Sequence, residues 1–238
     1  PPIATADLEF AQGVTNERVE ALTAACGATL TALNLNACQA VGDPAVSAAV
    51  RNCPALESLS LYWDVRVTDA ALDSIASAHC ASRLRTLNLS GCKKVTDRGV
   101  RAVADACGAI TALDLTRNRN VSAAGLRAVV DGMPYLEDLR LYACPGLRSF
   151  APLADLSRLA VLDLCGAQHL CDAELAAAVA ANPGLVTLNC TWCVQLTDKA
   201  AIAIGESCHK VSATQEKAPS PPRADTSSSG TRAQRRGA

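Results

Sequence analysis

The sequence predicts an α/β solenoid, in which short parallel strands line a concave face and helices cover the convex face. A nine-residue pattern, Leu-x-x-Leu-x-Leu-x-x-Cys/Asn, returns along the chain at a nearly fixed interval. The pattern is often followed by Val-Thr-Asp and then by apolar residues at helical spacing, such as Val100, Val103 and Ala104. Half of the 238 residues are apolar but only 3% are aromatic, so Ala, Leu and Val must form the interior.

The period identifies the class of repeat. The leading apolar residue of the pattern recurs every 23 to 28 residues, at Leu30, Leu56, Leu84, Ile110, Leu136, Leu159 and Leu185. A period in this range with this consensus is the signature of leucine-rich repeats, whose units stack into a curved solenoid, or horseshoe. We therefore expect one leucine-rich-repeat domain over residues 1–212, with a partial first repeat at 3–29 and seven repeats that start near these positions.

Each repeat is predicted to begin with a short strand over its Leu-x-Leu segment. The two leucines should point into the core and the residue between them should face the concave surface, because side chains alternate along a strand. A capped helix should then follow, with Asp43 as the first cap and Pro44 at the first helical position. Equivalent helix starts are predicted at Thr68-Asp69, Thr96-Asp97 and Thr197-Asp198.

Several segments depart from the regular repeat. Two extra residues near Ala78–Ser82 predict a longer connection from helix to strand in the second repeat. The fifth repeat is short, and Pro152 disfavours helix at the residue before it, which predicts a turn in place of a convex helix. Residues 3–16 have the pattern of the later part of a repeat, which predicts that the chain is a piece of a longer protein. The Pro-, Ser- and Arg-rich residues 213–238 are predicted to be a disordered tail.

The twelve cysteines mostly occupy two recurring positions of the repeat. Small buried thiols suit such positions, which predicts structural cysteines in a reducing compartment, cytoplasmic or nuclear. Cys190-x-x-Cys193 has the spacing of metal ligands. Cys165, His169 and Cys171 form a second cluster, with Cys165 expected on the concave surface. Neither group has an evident full ligand set, so no metal and no cofactor are expected.

Several function classes are disfavoured by the sequence. It contains no phosphate-binding loop and no Gly-x-Ser-x-Gly elbow, so an enzyme with a small-molecule substrate is not expected. No apolar run approaches the ~18 residues of a membrane span. Nucleic acid is not an expected partner, although the tail carries five basic and two acidic residues, which leaves nuclear import or nucleic-acid binding as an alternative to a solvated terminus.

Five of the seven aromatic residues fall in two adjacent columns that follow the third Leu of the pattern, beside a polar track on the strands. Exposed Trp, Tyr and Arg in polar surroundings are typical anchors of protein interfaces. An alternative is that these rings pack against neighbouring repeats. We predict that a protein partner binds the concave face through Phe10, Tyr62, Trp63, Asp114, Arg117, Asp138, Arg140, Tyr142, Asp163 and Trp192.

Two segments, Leu84–Cys92 and Val95–Cys107, resemble the cysteine-containing leucine-rich repeats of F-box proteins, the substrate receptors of cullin-based ubiquitin ligases. The resemblance extends over residues 3–212. It implies the substrate-recognition arm of an F-box-type (SCF) ligase, which would reach its adaptor through an F-box that these residues do not contain. Similar repeats also occur in scaffold subunits of ciliary, mitochondrial and other assemblies, and this alternative implies no ubiquitin role.

Overall fold

The computed structural model describes residues 3–207, which form one continuous series of strands and helices. The strands are β1 (Thr5–Asp7), β2 (Ala32–Asn34), β3 (Ser58–Ser60), β4 (Thr86–Asn88), β5 (Ala112–Asp114), β6 (Asp138–Arg140), β7 (Val161–Asp163) and β8 (Thr187–Asn189). The α-helices are α1 (Asn16–Cys26), α2 (Asp43–Asn52), α3 (Asp69–Ala76), α4 (Asp97–Ala106), α5 (Ala123–Gly132), α6 (Asp172–Ala181) and α7 (Asp198–Ser207). The predicted tail at 213–238 lies outside the described residues.

The eight strands form one parallel sheet in sequence order, β1 to β8, and this confirms the predicted leucine-rich-repeat solenoid. Equivalent residues pair from strand to strand, so that Leu33 lies opposite Leu59, which lies opposite Leu87. All three side chains are fully or almost fully buried. Burial of one such leucine contributes about 1.5–3 kcal/mol, so the ladder of leucines is the main source of stability.

The strands begin and end one residue earlier than predicted. In the first complete repeat the strand covers Ala32–Asn34 rather than Leu33–Leu35. The two leucines are buried as predicted, and Asn34 is half-buried on the outer side. The strand ends early because the chain turns sharply at Ala37, whose φ angle of 56° is incompatible with a strand.

The helix starts differ from the prediction in one respect. Thr68 and Thr96 are N-caps, as predicted, and their hydroxyl oxygens accept hydrogen bonds from backbone amides in the first turn. Asp43, however, is the first helical residue, and Gly42 is the cap. The Asp43 carboxylate instead reaches the next repeat, where it accepts hydrogen bonds of 2.7 Å from both the backbone N–H and the hydroxyl of Thr68.

The two irregular repeats match their predictions. The connection after α3 is long and contains a short 3₁₀ helix, Ala81–Arg83. In the fifth repeat a five-residue 3₁₀ helix, Ala151–Asp155, replaces the convex α-helix. Its start is held by Glu174 of the following helix, whose Oε1 accepts hydrogen bonds from the Ser149 hydroxyl and from two backbone amides.

The cysteine that ends the nine-residue pattern has a specific structural role. Its thiol donates a hydrogen bond to the carbonyl oxygen of the third Leu in the preceding repeat, as in Cys92 to Leu61 and Cys144 to Leu115, at 3.1 and 3.0 Å. Burial raises the pKa of the Cys144 thiol to about 12, so it stays protonated and can donate. All eleven cysteines among residues 3–207 are unpaired, which fits a reducing compartment. Within the same range, no helix has the length and apolarity needed to cross a bilayer.

Candidate protein-binding face

The most unusual backbone of the concave face lies just beyond the strands. Two residues after the third Leu of each repeat, φ is positive, between 52° and 76°. We call these eight residues the rim column: Phe10, Ala37, Trp63, Gly91, Arg117, Ala143, Gly166 and Trp192. Only glycine takes this left-handed conformation without cost, and other residues pay roughly 1–2 kcal/mol. The backbone conformation therefore does not favour large side chains here, and strain of this kind is often found at functional sites.

Trp63 packs across neighbouring repeats. Its ring lies against Gly91, where any added Cβ atom would collide with the indole. The Arg117 guanidinium lies 5.5 Å from the Trp63 ring and 5.5 Å from the Tyr142 ring, and thus bridges the two aromatics. The Lys93 ammonium lies 5.0 Å from the Trp63 ring centroid. We call Tyr62, Trp63, Arg117 and Tyr142 the cation–π stack.

The sequence left open whether the aromatic residues pack against neighbouring repeats or stay exposed to a partner, and the stack does both. Tyr62 touches Trp63 with ring centroids 5.9 Å apart, so these rings do pack on neighbours. All four members nevertheless remain half-exposed. A pre-stacked surface of this kind can accept a partner without a large loss of side-chain entropy, because its rotamers are already restricted.

The charged residues of the sheet form a second feature. Asp114, Arg140 and Asp163 lie side by side on β5, β6 and β7. Asp138 also lies on β6, and its two carboxylate oxygens accept hydrogen bonds of 3.1 and 3.0 Å from Arg140. We call these four residues the acidic patch, since three carboxylates share one guanidinium and leave a net charge of −2.

The carboxylates of the patch are partly desolvated. Burial raises the pKa of Asp114, although hydrogen bonds from Thr116 and the charge of Arg140 partly offset the rise. Burial also raises the pKa of Asp163, where the hydrogen bond from the Cys165 amide and the charge of Arg140 act in the opposite direction. A second cation beside this patch would favour the charged carboxylates and so offset both the cost of their desolvation and their mutual repulsion.

The third feature is a groove at the C-terminal end of the rim column. Here the column has small residues, Ala143 and Gly166, before Trp192. The groove has a volume of about 510 Å³ and is bounded by Tyr142 on one side and by Trp192 and Val194 on the other. A Cβ atom at Gly166 would make only ordinary van der Waals contacts, 3.9–4.0 Å from Ala143 and Tyr142, so nothing collides with this position as the Trp63 ring does at Gly91.

The structure thus places nine of the ten predicted site residues in the stack, the patch or the groove. Four belong to the cation–π stack and four to the acidic patch. Trp192 forms a wall of the groove, and Phe10 lies apart from the others after β1. Both remaining aromatics are largely exposed, by 57% for Trp192 and 62% for Phe10.

Sequence reasoning missed the groove and the strained backbone of the rim column. The signal available was the pair Gly91 and Gly166, which fall in register with the aromatic residues. The expected surface position of Cys165 is wrong, because its side chain is buried beneath the rim. Cys171 lies at the start of α6, with its thiol 3.6 Å from Glu174. Within residues 3–207, no three His, Cys, Asp or Glu side chains are grouped so that they could hold a metal ion.

Comparison with known proteins agrees with this architecture. A family model described as Leucine Rich repeat matches residues 82–104. F-box/LRR-repeat protein 4 of Bos taurus is 34% identical over 150 residues, which cover 60% of this chain and 24% of that protein. F-box/LRR-repeat protein 5 of Mus musculus is 35% identical over 85 residues, or 36% of this chain and 12% of that protein. The chain therefore spans about a quarter or less of the length of these relatives.

Solved structures share the fold at low sequence identity. In the yeast complex of Rad7 and Elc1, the matched chain aligns with a TM-score of 0.62 at 15% identity, covering 78% of this chain and 56% of that chain. Internalin C2 of Listeria monocytogenes aligns with a TM-score of 0.55 at 19% identity, covering 90% of this chain and all of that chain. Taken with the repeat pattern and the eight-stranded parallel sheet, these similarities show that the chain is a leucine-rich-repeat protein related to F-box/LRR-repeat proteins.

Proposed function

We propose that the concave face of this interaction domain selects the substrate of an F-box-type ubiquitin ligase. The observation that carries the binding role is the occupation of the left-handed rim column by Trp63, Arg117 and Trp192. Glycine at these positions would suit the backbone better, so the backbone conformation does not account for the large side chains, and this supports a binding role. The similarity to F-box/LRR-repeat proteins supports the ligase role.

The dimensions of the surface favour a protein partner over a small molecule. Trp63 follows β3 and Trp192 follows β8, so the two anchors are five strands apart. With adjacent strands about 4.8 Å apart, this corresponds to roughly 25 Å along the sheet. A small metabolite needs a pocket that encloses most of its surface, whereas an extended polypeptide or a domain face can contact anchors this far apart.

In this proposal the repeats provide recognition and an F-box elsewhere in the full protein contacts the ligase adaptor. The complex assembles in the cytoplasm or the nucleus, where the thiols stay reduced. The reduced, protonated state matters for the repeats themselves, because the buried thiols donate the hydrogen bonds that link one repeat to the preceding one.

The test uses the full-length protein with an affinity tag and quantifies the proteins that copurify. We expect the ligase adaptor and a cullin with the wild type. The double variant Trp63→Ala/Arg117→Ala should retain both and lose the substrate, because it removes the centre of the cation–π stack. Arg101→Ala, on the exposed side of α4, is the matched control and should lose neither.

Two results would contradict the proposal in different ways. If a large assembly copurifies with the wild type and neither the ligase adaptor nor a cullin does, the ligase role is wrong and a scaffold role replaces it. If the double variant captures the same partners as the wild type, the cation–π stack is not the recognition surface. Thermal melts of all three proteins would separate loss of binding from loss of fold.

A further inference from the structure

The groove between Tyr142 and Trp192 differs from the rest of the rim in being empty of the protein's own side chains. Earlier along the rim column, the glycine at position 91 is covered by the Trp63 ring. The equivalent Gly166 has a smaller residue, Ala143, before it in the column, no ring collides with its Cβ position, and it lines the groove of about 510 Å³. The fold therefore leaves at this point the space that an aromatic side chain fills elsewhere.

The chemistry of the groove suits one large apolar side chain. Tyr142, Trp192 and Val194 form its walls, and Val194 is 77% exposed. The polar side chains at its edge are those of Gln168 and His169. An exposed valine and an exposed tryptophan facing the same open space are costly to leave in water, and burial of such side chains stabilises a complex.

The acidic patch is close to the groove along the chain. Asp163 is three residues before Gly166, and its Oδ1 accepts a 2.9 Å hydrogen bond from the backbone amide of Cys165. Arg140, the one cation of the patch, is already engaged by Asp138. The surface next to the apolar groove is thus negative and complementary to a partner that carries positive charge.

We propose that the groove receives a large apolar side chain from an extended segment of the protein partner, while a lysine or arginine of that segment pairs with the acidic patch. The inference rests on the proposed role in protein recognition and specifies the chemistry of the partner. Asp163 and Gly166 are at most about 10 Å apart along the chain. The cation and the apolar residue should therefore lie within about three residues of each other in the partner.

The experiment selects peptides from a random phage-displayed library on the full chain. The selected peptides should contain Lys or Arg within three residues of a large apolar residue. One such peptide, synthesised with a fluorescent label, is then titrated by anisotropy. We expect its affinity to fall as salt is added, because screening weakens the contribution of exposed charges.

Three variants then test the site with the same labelled peptide. Val194→Arg places a bulky cation at the groove wall, and Asp163→Asn removes one negative charge while it keeps the oxygen that accepts from Cys165. Each should weaken binding by about tenfold or more, as expected for loss of a central contact. Val186→Arg is the matched control, since this valine is 45% exposed but lies before β8, whereas the groove lies beyond the strand ends, and it should leave affinity unchanged.

Several outcomes would overturn the inference. Selected peptides with an acidic or uncharged consensus would contradict the assigned positive charge of the partner. Unchanged affinity of the labelled peptide for the Val194→Arg variant would contradict the groove as the binding site. Tighter peptide binding after removal of residues 213–238 would make the chain's own basic tail the occupant. Self-association that Val194→Arg abolishes would make a second copy the occupant. If selection fails while Trp63 and Arg117 still determine substrate capture, the groove inference fails and the proposed function stands.

Discussion

At the scale of single residues, Asp64 occupies the position where other repeats place a hydrogen-bond donor. The equivalent Cys92 and Asn118 donate to carbonyl oxygens of the preceding repeat, at 3.1 and 3.0 Å. An aspartate can donate only when it is protonated. Asp64 is fully buried, and neither of its carboxyl oxygens accepts a hydrogen bond of normal geometry within residues 3–207. Burial raises the pKa of Asp64 to about 8, with a small opposing effect from the backbone of Cys38.

Asp64 therefore makes stability depend on pH. The folded protein holds this proton up to pH about 8, whereas the unfolded chain releases it near the usual pKa of 3.8. The free energy of unfolding should fall as pH rises between these two values and should be constant, for this group, above the higher one. Urea unfolding at a series of pH values measures the slope. Asp64→Asn should flatten this slope and raise the free energy of unfolding at neutral pH by about 1–3 kcal/mol. The reason is that an amide N–H can donate a hydrogen bond without first binding a proton. An unchanged slope would mean that Asp64 is ionised in the folded state.

The rim column leads to a second prediction at this scale. Trp192 is exposed and has a φ of 61°, so Trp192→Gly should raise the free energy of unfolding by about 0.5–1 kcal/mol. Trp192→Ala keeps a Cβ atom and most of the strain, so comparison of the two variants isolates the backbone contribution. Equal unfolding free energies for Gly and Ala would show that this backbone is not strained. Peptide binding should fall in both variants, which separates stability from recognition.

At the scale of elements, the helices are joined by carboxylates that cross from one repeat to the next. The carboxylate of the first helical residue accepts from the N–H and the hydroxyl of the next repeat's cap residue, as Asp69 does from Thr96 and Asp97 from Ser122. Gly99 makes room for this contact, since a Cβ atom there would collide with the Asp69 carboxylate. Stacking of the helices thus depends on a polar ladder as well as on apolar packing.

Removal of one member of the ladder should destabilise the protein. Asp69→Ala leaves the half-buried N–H and hydroxyl of Thr96 without their acceptor, which should cost about 1–3 kcal/mol. Asp105→Ala, at an exposed position near the end of α4, is the control and should change the free energy of unfolding by less than about 0.5 kcal/mol. Chemical denaturation of both variants gives the comparison. A cost for Asp69 no larger than that for Asp105 would show that the ladder is dispensable.

Features of these elements that depend on local rules could be predicted from the sequence, whereas features that depend on how repeats meet could not. The inward leucines such as Leu33 followed from the alternation of side chains, and the N-cap role of Thr96 followed from local hydrogen bonding. The contact of Asp43 with Thr68 could not be predicted in this way, because it depends on how two repeats are aligned. The groove at Gly166 could not be predicted from the sequence either, since it depends on the direction in which neighbouring side chains point.

At the scale of the whole molecule, each repeat contacts mainly its neighbours, so stability is distributed along the solenoid rather than held in one centre. The parallel strands pair in sequence order from β1 to β8, and among residues 3–207 no strand pairs with one distant in the chain. A defect in one repeat should therefore weaken its immediate neighbours more than the ends. The acidic patch spans the junction of the fourth to sixth repeats, so recognition depends on the alignment of these units.

Leu113→Ala tests this distribution of stability. Leu113 is buried in β5 and faces Leu87 and Leu139 in the adjacent strands, so its truncation leaves a cavity and should cost about 2–5 kcal/mol. Native-state hydrogen exchange should show the largest loss of protection in β4 to β6 and a smaller loss in β1 and β2. Arg101→Ala, at an exposed position of α4, should change stability by less than about 0.5 kcal/mol. Uniform loss of protection along the chain would mean that residues 3–207 unfold as one cooperative unit. In that case the alignment of the binding surface would depend on every repeat equally, rather than on the few that carry it.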